Sequence, residues 1–124
     1  MFNAKILCVS FDRVVSEGRC STLEEAGYDV TAVTNIKDGL ELLNRQTFDA
    51  VIIGHRFSAE EKYLLAVEAK EKADTPVVLV CGATQESEIP ATSRVYALEG
   101  SDGLLSALSR LVPAEAAAQP RAAA

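Results

Sequence analysis

At 124 residues the chain is long enough for one domain with a buried core, without disulfides or metal to hold it together. Its 48% hydrophobic and 24% charged residues exclude a disordered or coiled-coil chain. The formal net charge of -6 argues against a nucleic-acid binder, which would carry a basic patch.

The opening residues 1–9 carry one lysine and a brief apolar run, too short for a signal-peptide core or a membrane span. A cytoplasmic chain with no membrane partner is expected. Within them, Lys5-Ile6-Leu7-Cys8-Val9 reads as a first strand. The turn after it, Ser10-Phe11-Asp12-Arg13, has no glycine, so it is not the phosphate-binding turn of a dinucleotide or P-loop fold. Asp12 can cap a helix reaching about residue 26, with Cys20 and Leu23 inward and Gly27 as its stop. The apolar stripe of that helix is thin, and Gly18 weakens it.

Tyr28-Asp29-Val30-Thr31-Ala32-Val33 alternates and is rich in strand formers, so it forms a second strand. Asn35 then caps a helix with Asp38 in its first turn, and Ile36, Leu40 and Leu43 give one sheet-facing stripe to about residue 46. The next run, Phe48-Asp49-Ala50-Val51-Ile52-Ile53-Gly54-His55, is almost wholly apolar and β-branched, as a strand covered on both faces is. Ligands of open α/β sheets bind at the carboxyl ends of the strands, and there this strand offers Gly54, which has no side chain.

Ser58-Ala59-Glu60-Glu61 has the spacing of a capping box before a helix that runs to about residue 72. Phe57 and Tyr63, at its start, are expected in the core, and Lys62, Lys70 and Lys72 with Glu60, Glu61, Glu68 and Glu71 on its solvated face. Asp74-Thr75-Pro76 turns the chain into the strand Val77-Val78-Leu79-Val80-Cys81. Over residues 82–94 the periodicity fades, which predicts a loop with room for one helical turn. Val95-Tyr96-Ala97-Leu98 reads as an edge strand and Glu99-Gly100-Ser101 as a turn. A last helix over 102–112 follows, with Leu104, Leu108 and Leu111 on one side.

Residues 1–112 therefore form one domain of alternating strands and helices, a doubly wound parallel sheet with right-handed crossovers. Residues 113–124 read as a disordered alanine and proline tail. Cys8, Cys20 and Cys81 form an odd set without a C-x-x-C pair and fit neither a disulfide framework nor a zinc knuckle. They read as free thiols packed like small hydrophobes.

Several phrases in this order resemble the receiver domain of two-component response regulators. Lys5-Ile6-Leu7-Cys8-Val9 is similar to that family's opening strand, and Leu23-Glu24-Glu25-Ala26-Gly27-Tyr28-Asp29-Val30 to its first helix exit. Asp38-Gly39-Leu40-Glu41-Leu42-Leu43, Phe48-Asp49-Ala50-Val51-Ile52-Ile53 and Thr75-Pro76-Val77-Val78-Leu79-Val80 are similar to its second helix, third strand and fourth strand. The resemblance covers roughly residues 4–112 and implies a flavodoxin-like, CheY-like five-stranded sheet of order 2-1-3-4-5, with the fourth helix short or missing.

It also implies where phosphorylation chemistry belongs. The phosphoacceptor aspartate falls on Gly54, and the acidic pair that holds magnesium on Ser10 and Phe11, with Asp12 close by. The threonine or serine ending the fourth strand is replaced by Cys81, and the lysine after the fifth strand aligns with Glu99. The resemblance thus implies a degenerate receiver that acts in signal transduction through a protein partner, a second copy of the chain among the candidates, with no catalysis, metal or cofactor. Two alternatives stand beside it. Asp12, His55 and Cys81 all follow neighbouring strand ends and could build a thiol-redox or zinc site. The chain could also serve as a structural dimerisation module.

Overall fold

The computed structural model describes residues 3–82 and 88–113. Five strands, β1 (Lys5–Val9), β2 (Asp29–Val33), β3 (Ala50–Ile53), β4 (Val77–Cys81) and β5 (Ser93–Tyr96), form one parallel sheet in the order β2-β1-β3-β4-β5. This is the flavodoxin-like arrangement, and the described residues add four helices: α1 (Arg13–Glu25), α2 (Ile36–Arg45), α3 (Ala59–Ala73) and α4 (Gly100–Leu111).

The helix starts form where the side chains dictate. Asp12 accepts from the amides of Val14 at 2.8 Å and Val15 at 3.4 Å, Asn35 from that of Asp38 at 2.8 Å, and Ser58 from that of Glu61 at 3.1 Å. Glu61 returns the bond to the Ser58 amide at 3.1 Å, which completes the capping box.

All four residues of β3 are buried, and their alternation sorts the core into two layers. Val51 and Ile53 pack with Leu7, Val9, Leu43, Leu65 and Ala69 beneath α2 and α3. Ala50 and Ile52 pack with Ile6, Cys8, Leu23, Leu104 and Leu108 beneath α1 and α4. Tyr28 closes the second layer by donating its hydroxyl to the carbonyl of Val112 at 2.6 Å.

Three expectations need correction. The fifth strand begins at Ser93, because Thr92 both donates to Val77 O at 2.8 Å and accepts from Val77 N at 3.0 Å, which sets Ser93 opposite Val78. Ala97–Glu99 is then a 3-10 turn, and α4 starts at Gly100. On α3 the inward stripe is Lys62, Leu65, Ala66 and Ala69, so Lys62 is only 2% exposed, whereas Tyr63 is 48% exposed. Tyr63 and Leu64 fall off that stripe because each helical step turns 100°. Phe57 is buried as expected.

Between β4 and β5 the described residues contain no helix, and Ile89, fully buried, plugs the α2/α3 layer there. Residues 83–87 of the expected 82–94 loop, and all of the expected 113–124 tail but its first residue, lie outside the described residues.

Candidate functional site

The sheet register lines up Val9, Ile53 and Leu79 across β1, β3 and β4, so the residues just after these strands share one rim. Pairing continues one step past the strands: Ser10 N donates to Val33 O at 3.1 Å and Gly54 N to Val9 O at 2.8 Å. A Cβ on Gly54 would stand 3.2 Å from Val9 O, 3.3 Å from Arg19 Nη1 and 3.4 Å from Ser10 Cα. A side chain there would press on its neighbours by a few tenths of an ångström, and the third strand ends against a guanidinium.

That guanidinium is the part of the site that sequence reasoning missed. The inward stripe of α1 is Ser16, Arg19 and Leu23, so the thin apolar pattern was itself the signal that a polar side chain faces the sheet. Arg19 is only 8% exposed and its Nη1 donates to Ser10 Oγ at 3.0 Å. Burial lowers its pKa, and it forms no ion pair among the described residues.

The acid at this rim is engaged elsewhere. Asp12 spends one carboxylate oxygen on the α1 N-terminus, while the other lies 3.7 Å from Arg56. Phe11 is 57% exposed, meets Phe57 edge to face at 5.9 Å and carries the Arg56 guanidinium 5.6 Å over its ring. Glu99 is exposed and accepts from the Tyr96 amide at 3.0 Å, well occupied in shaping the 3-10 turn.

Of Asp12, His55 and Cys81, the first two line one small pocket beside Gly54 and Arg19, and Cys81 is not brought to them. Cys81 is buried in the α2/α3 layer, its thiol 3.9 Å from Leu79 O. His55 also lines a cleft of about 300 Å³ on the α1/α4 side, together with Val14, Val15, Arg19 and Tyr96. Among the described residues no group of three or more His, Cys, Asp or Glu is placed to hold a metal.

The structure does bring together two thiols that the sequence had treated singly. Cys8 on β1 and Cys20 on α1 interact across the strand and helix interface. A hydrogen bond from Cys8 holds Cys20 down at about 7, helped by Ser16 and opposed by burial and by Glu17 and Glu24. The same pairing and burial push Cys8 well above its ordinary value. The seam runs on through Cys8 Sγ to Ser10 Oγ at 3.6 Å and through Cys20 Sγ to Ser16 Oγ at 4.0 Å. Cys8 and Cys20 are twelve residues apart; Cys8 is on an inward position of β1, whereas Cys20, expected inward, is half-buried beside the Ser16, Arg19 and Leu23 stripe of α1. That spacing was legible, but the facing angle was not.

No protein-family model matches the chain, and no curated protein does. Solved structures do. The chemotaxis response regulator CheY4 of Vibrio cholerae superposes with a TM-score of 0.75 at 21% identity, over 90% of this chain and 100% of that one. A response regulator receiver protein from Sinorhizobium medicae gives 0.78 at 24% identity, over 87% and 93%. The receiver domain of sensor histidine kinase PA1611 from Pseudomonas aeruginosa, with magnesium coordinated in its active site cleft, gives 0.78 at 18% identity, over 89% and 98%. The chain has the CheY-like receiver fold.

Proposed function

We propose that this chain is a degenerate receiver domain, working in signal transduction by binding protein and independently of phosphorylation. The observation that carries the reading is the end of β3. A receiver's phosphoacceptor belongs there, and Gly54 offers no side chain, while Arg19 Nη1 stands 3.3 Å from where a Cβ would be. Without a carboxylate no acyl phosphate can form.

The residues present do not fit magnesium either. The ion takes near-octahedral oxygen ligands, usually carboxylates and phosphate oxygens. At this rim Ser10 already receives Arg19, Phe11 has no oxygen in its side chain, and Asp12 is committed to α1 and Arg56. Cys81, at the position of the family's phosphate-sensing hydroxyl, is turned into the α2/α3 core.

Protein binding is supported by the surface on the opposite side of that rim. Val14 and Val15 are 76% and 37% exposed and Tyr96 38%, and all three line the cleft into which Arg19 also opens. Exposed apolar side chains around a buried cation suit a partner that presents apolar groups with an acid among them. Among the described residues no helix is long and apolar enough to cross a membrane. We place the domain in the cytoplasm, with no catalysis of its own. A site built from Cys81, His55 and Asp12 gains no support, because Cys81 faces the α2/α3 layer while His55 and Asp12 lie together on the other side.

The test is chemical. Incubated with magnesium and acetyl phosphate, or with beryllofluoride, the protein is expected to gain no mass and to show no NMR shifts at Gly54, Ser10 or Cys81. Specific shifts at those three positions would overturn the reading.

A further inference from the structure

We propose that the cleft between α1 and α4 binds a small carboxylic acid with an apolar body, its carboxylate held by the Arg19 guanidinium. At about 300 Å³ the cleft sits at the small end of ligand sites, which run from roughly 300 to 1,000 Å³. A single ring or a short branched chain suits it. Val80, Val95 and Leu104 are buried and form its floor, while Val14, Val15 and Tyr96 are exposed and form its mouth. Covering both with an apolar ligand body removes apolar surface from water.

Arg19 gives the site its polarity. The side chain lines the cleft at only 8% exposure, and among the described residues Ser10 Oγ, 3.0 Å from Nη1, is its one hydrogen-bond partner. Nε and Nη2 are left to meet an anion. A guanidinium buried this far with no carboxylate beside it among the described residues carries an uncompensated desolvation cost, and the same burial lowers its pKa. A carboxylate entering the cleft offsets that cost with charge-assisted hydrogen bonds.

No neighbouring acid answers the charge. Among the described residues none lines the cleft, and Asp12, at the rim beyond Arg19, is committed to the α1 amides and to Arg56. Glu99 and Asp102 lie where α4 begins but outside the lining, and Glu99 accepts from the Tyr96 amide and does not cap the helix. Gly100 and Ser101, the first residues of α4, do line the cleft, so its uncapped amides add partial positive charge there. His55 places a ring on the same wall. The apolar floor disfavours the more heavily hydrated phosphate dianion and leaves a monocarboxylate as the ligand. The site is complete within one chain, so it goes beyond the protein-binding reading and does not depend on it.

Titrating the isotopically labelled wild-type protein with sodium phenylacetate, followed by amide NMR, tests this with no partner present. Saturable shifts are expected at Val15, Arg19, Val95 and Ser101, with half-saturation below about 5 mM. Phenylacetamide, of the same shape without the charge, should bind about 10- to 100-fold more weakly. Acetate and inorganic phosphate, charged but without an apolar body, should not saturate over the same range. Arg19→Gln should lose the preference for acid over amide. Gly18→Leu, which drives a side chain into the cleft from a position with no atom within 4 Å, should keep the wild-type fold and lose phenylacetate. Acid and amide binding alike to the wild type, acetate or phosphate binding as tightly as phenylacetate, undiminished binding by Gly18→Leu, or no saturable shift at all would each overturn the proposal. The comparison of acid with amide on the wild type decides it even if Arg19→Gln folds poorly. Failure here would leave the phosphorylation-independent reading standing, since the beryllofluoride experiment tests that separately.

Discussion

At Gly54 a methyl group would fit only tightly. Val9 O, 3.2 Å from a hypothetical Cβ, belongs to a central strand and cannot retreat without disturbing the β1 and β3 pairing through Gly54 N. Arg19 Nη1, at 3.3 Å, can give way only by loosening its 3.0 Å bond to Ser10. Gly54→Ala is therefore expected to destabilise the fold by about 1 kcal/mol, as overpacking of a well-filled interior does. A shift of the urea midpoint to lower concentration with an unchanged slope is the measurement, and a midpoint at or above wild type would show that the rim has slack to absorb a methyl group. Gly54 was the legible half of this site, since a missing side chain is visible in any sequence. The other half, Arg19, was hidden because a long polar residue on a helix is ordinarily a surface residue, and only the rotation of α1 turns it inward.

Legibility at the level of elements followed the strength of the periodic signal. Helix α2 carries Ile36 and Leu43 inward from an asparagine cap and was readable at both ends. Helix α1 shows Ser16, Arg19 and Leu23 inward, one apolar residue in three, so its partners on β1 could not be read from pattern alone. The fifth strand slipped by two residues because its start is set by Thr92 bonding to Val77, a long-range pair that local sequence does not announce. The weakness of α1 yields a prediction. Gly18 lies inside the helix with no atom within 4 Å of the position a methyl group would take, so a side chain there meets only open cleft. Gly18→Ala should stabilise the protein by roughly 0.5–1 kcal/mol, since alanine surrenders less backbone entropy on entering a helix. Thermal and urea midpoints should both rise; a fall would mean that the cleft beside Arg19 is filled.

For the molecule as a whole, the sheet separates two layers with different characters. The α2/α3 layer is a largely apolar core that reaches Cys81 and Ile89, with Lys62 buried at its α3 face. The α1/α4 side carries the Cys8 and Cys20 seam, the Arg19 guanidinium and the exposed Val14, Val15 and Tyr96. In a chain of net charge -6, an apolar surface around a cation is the place where an acidic partner is least repelled. Val14 offers a clean separation of binding from folding. It is 76% exposed in the first turn of α1, which has no acidic residue, so Val14→Asp removes an apolar side chain and adds a charge that the helix N-terminus favours. Stability should hold or rise by no more than about 0.5 kcal/mol. Protein recovered with the tagged wild-type domain from its native cells should be lost from Val14→Asp and kept by a control substitution at exposed Glu60, in the first turn of α3 on the other face of the sheet. Loss in both would point to a defect of folding, which the urea midpoint would reveal. Retention in both would move the binding surface away from the α1/α4 side and sink this part of the functional reading.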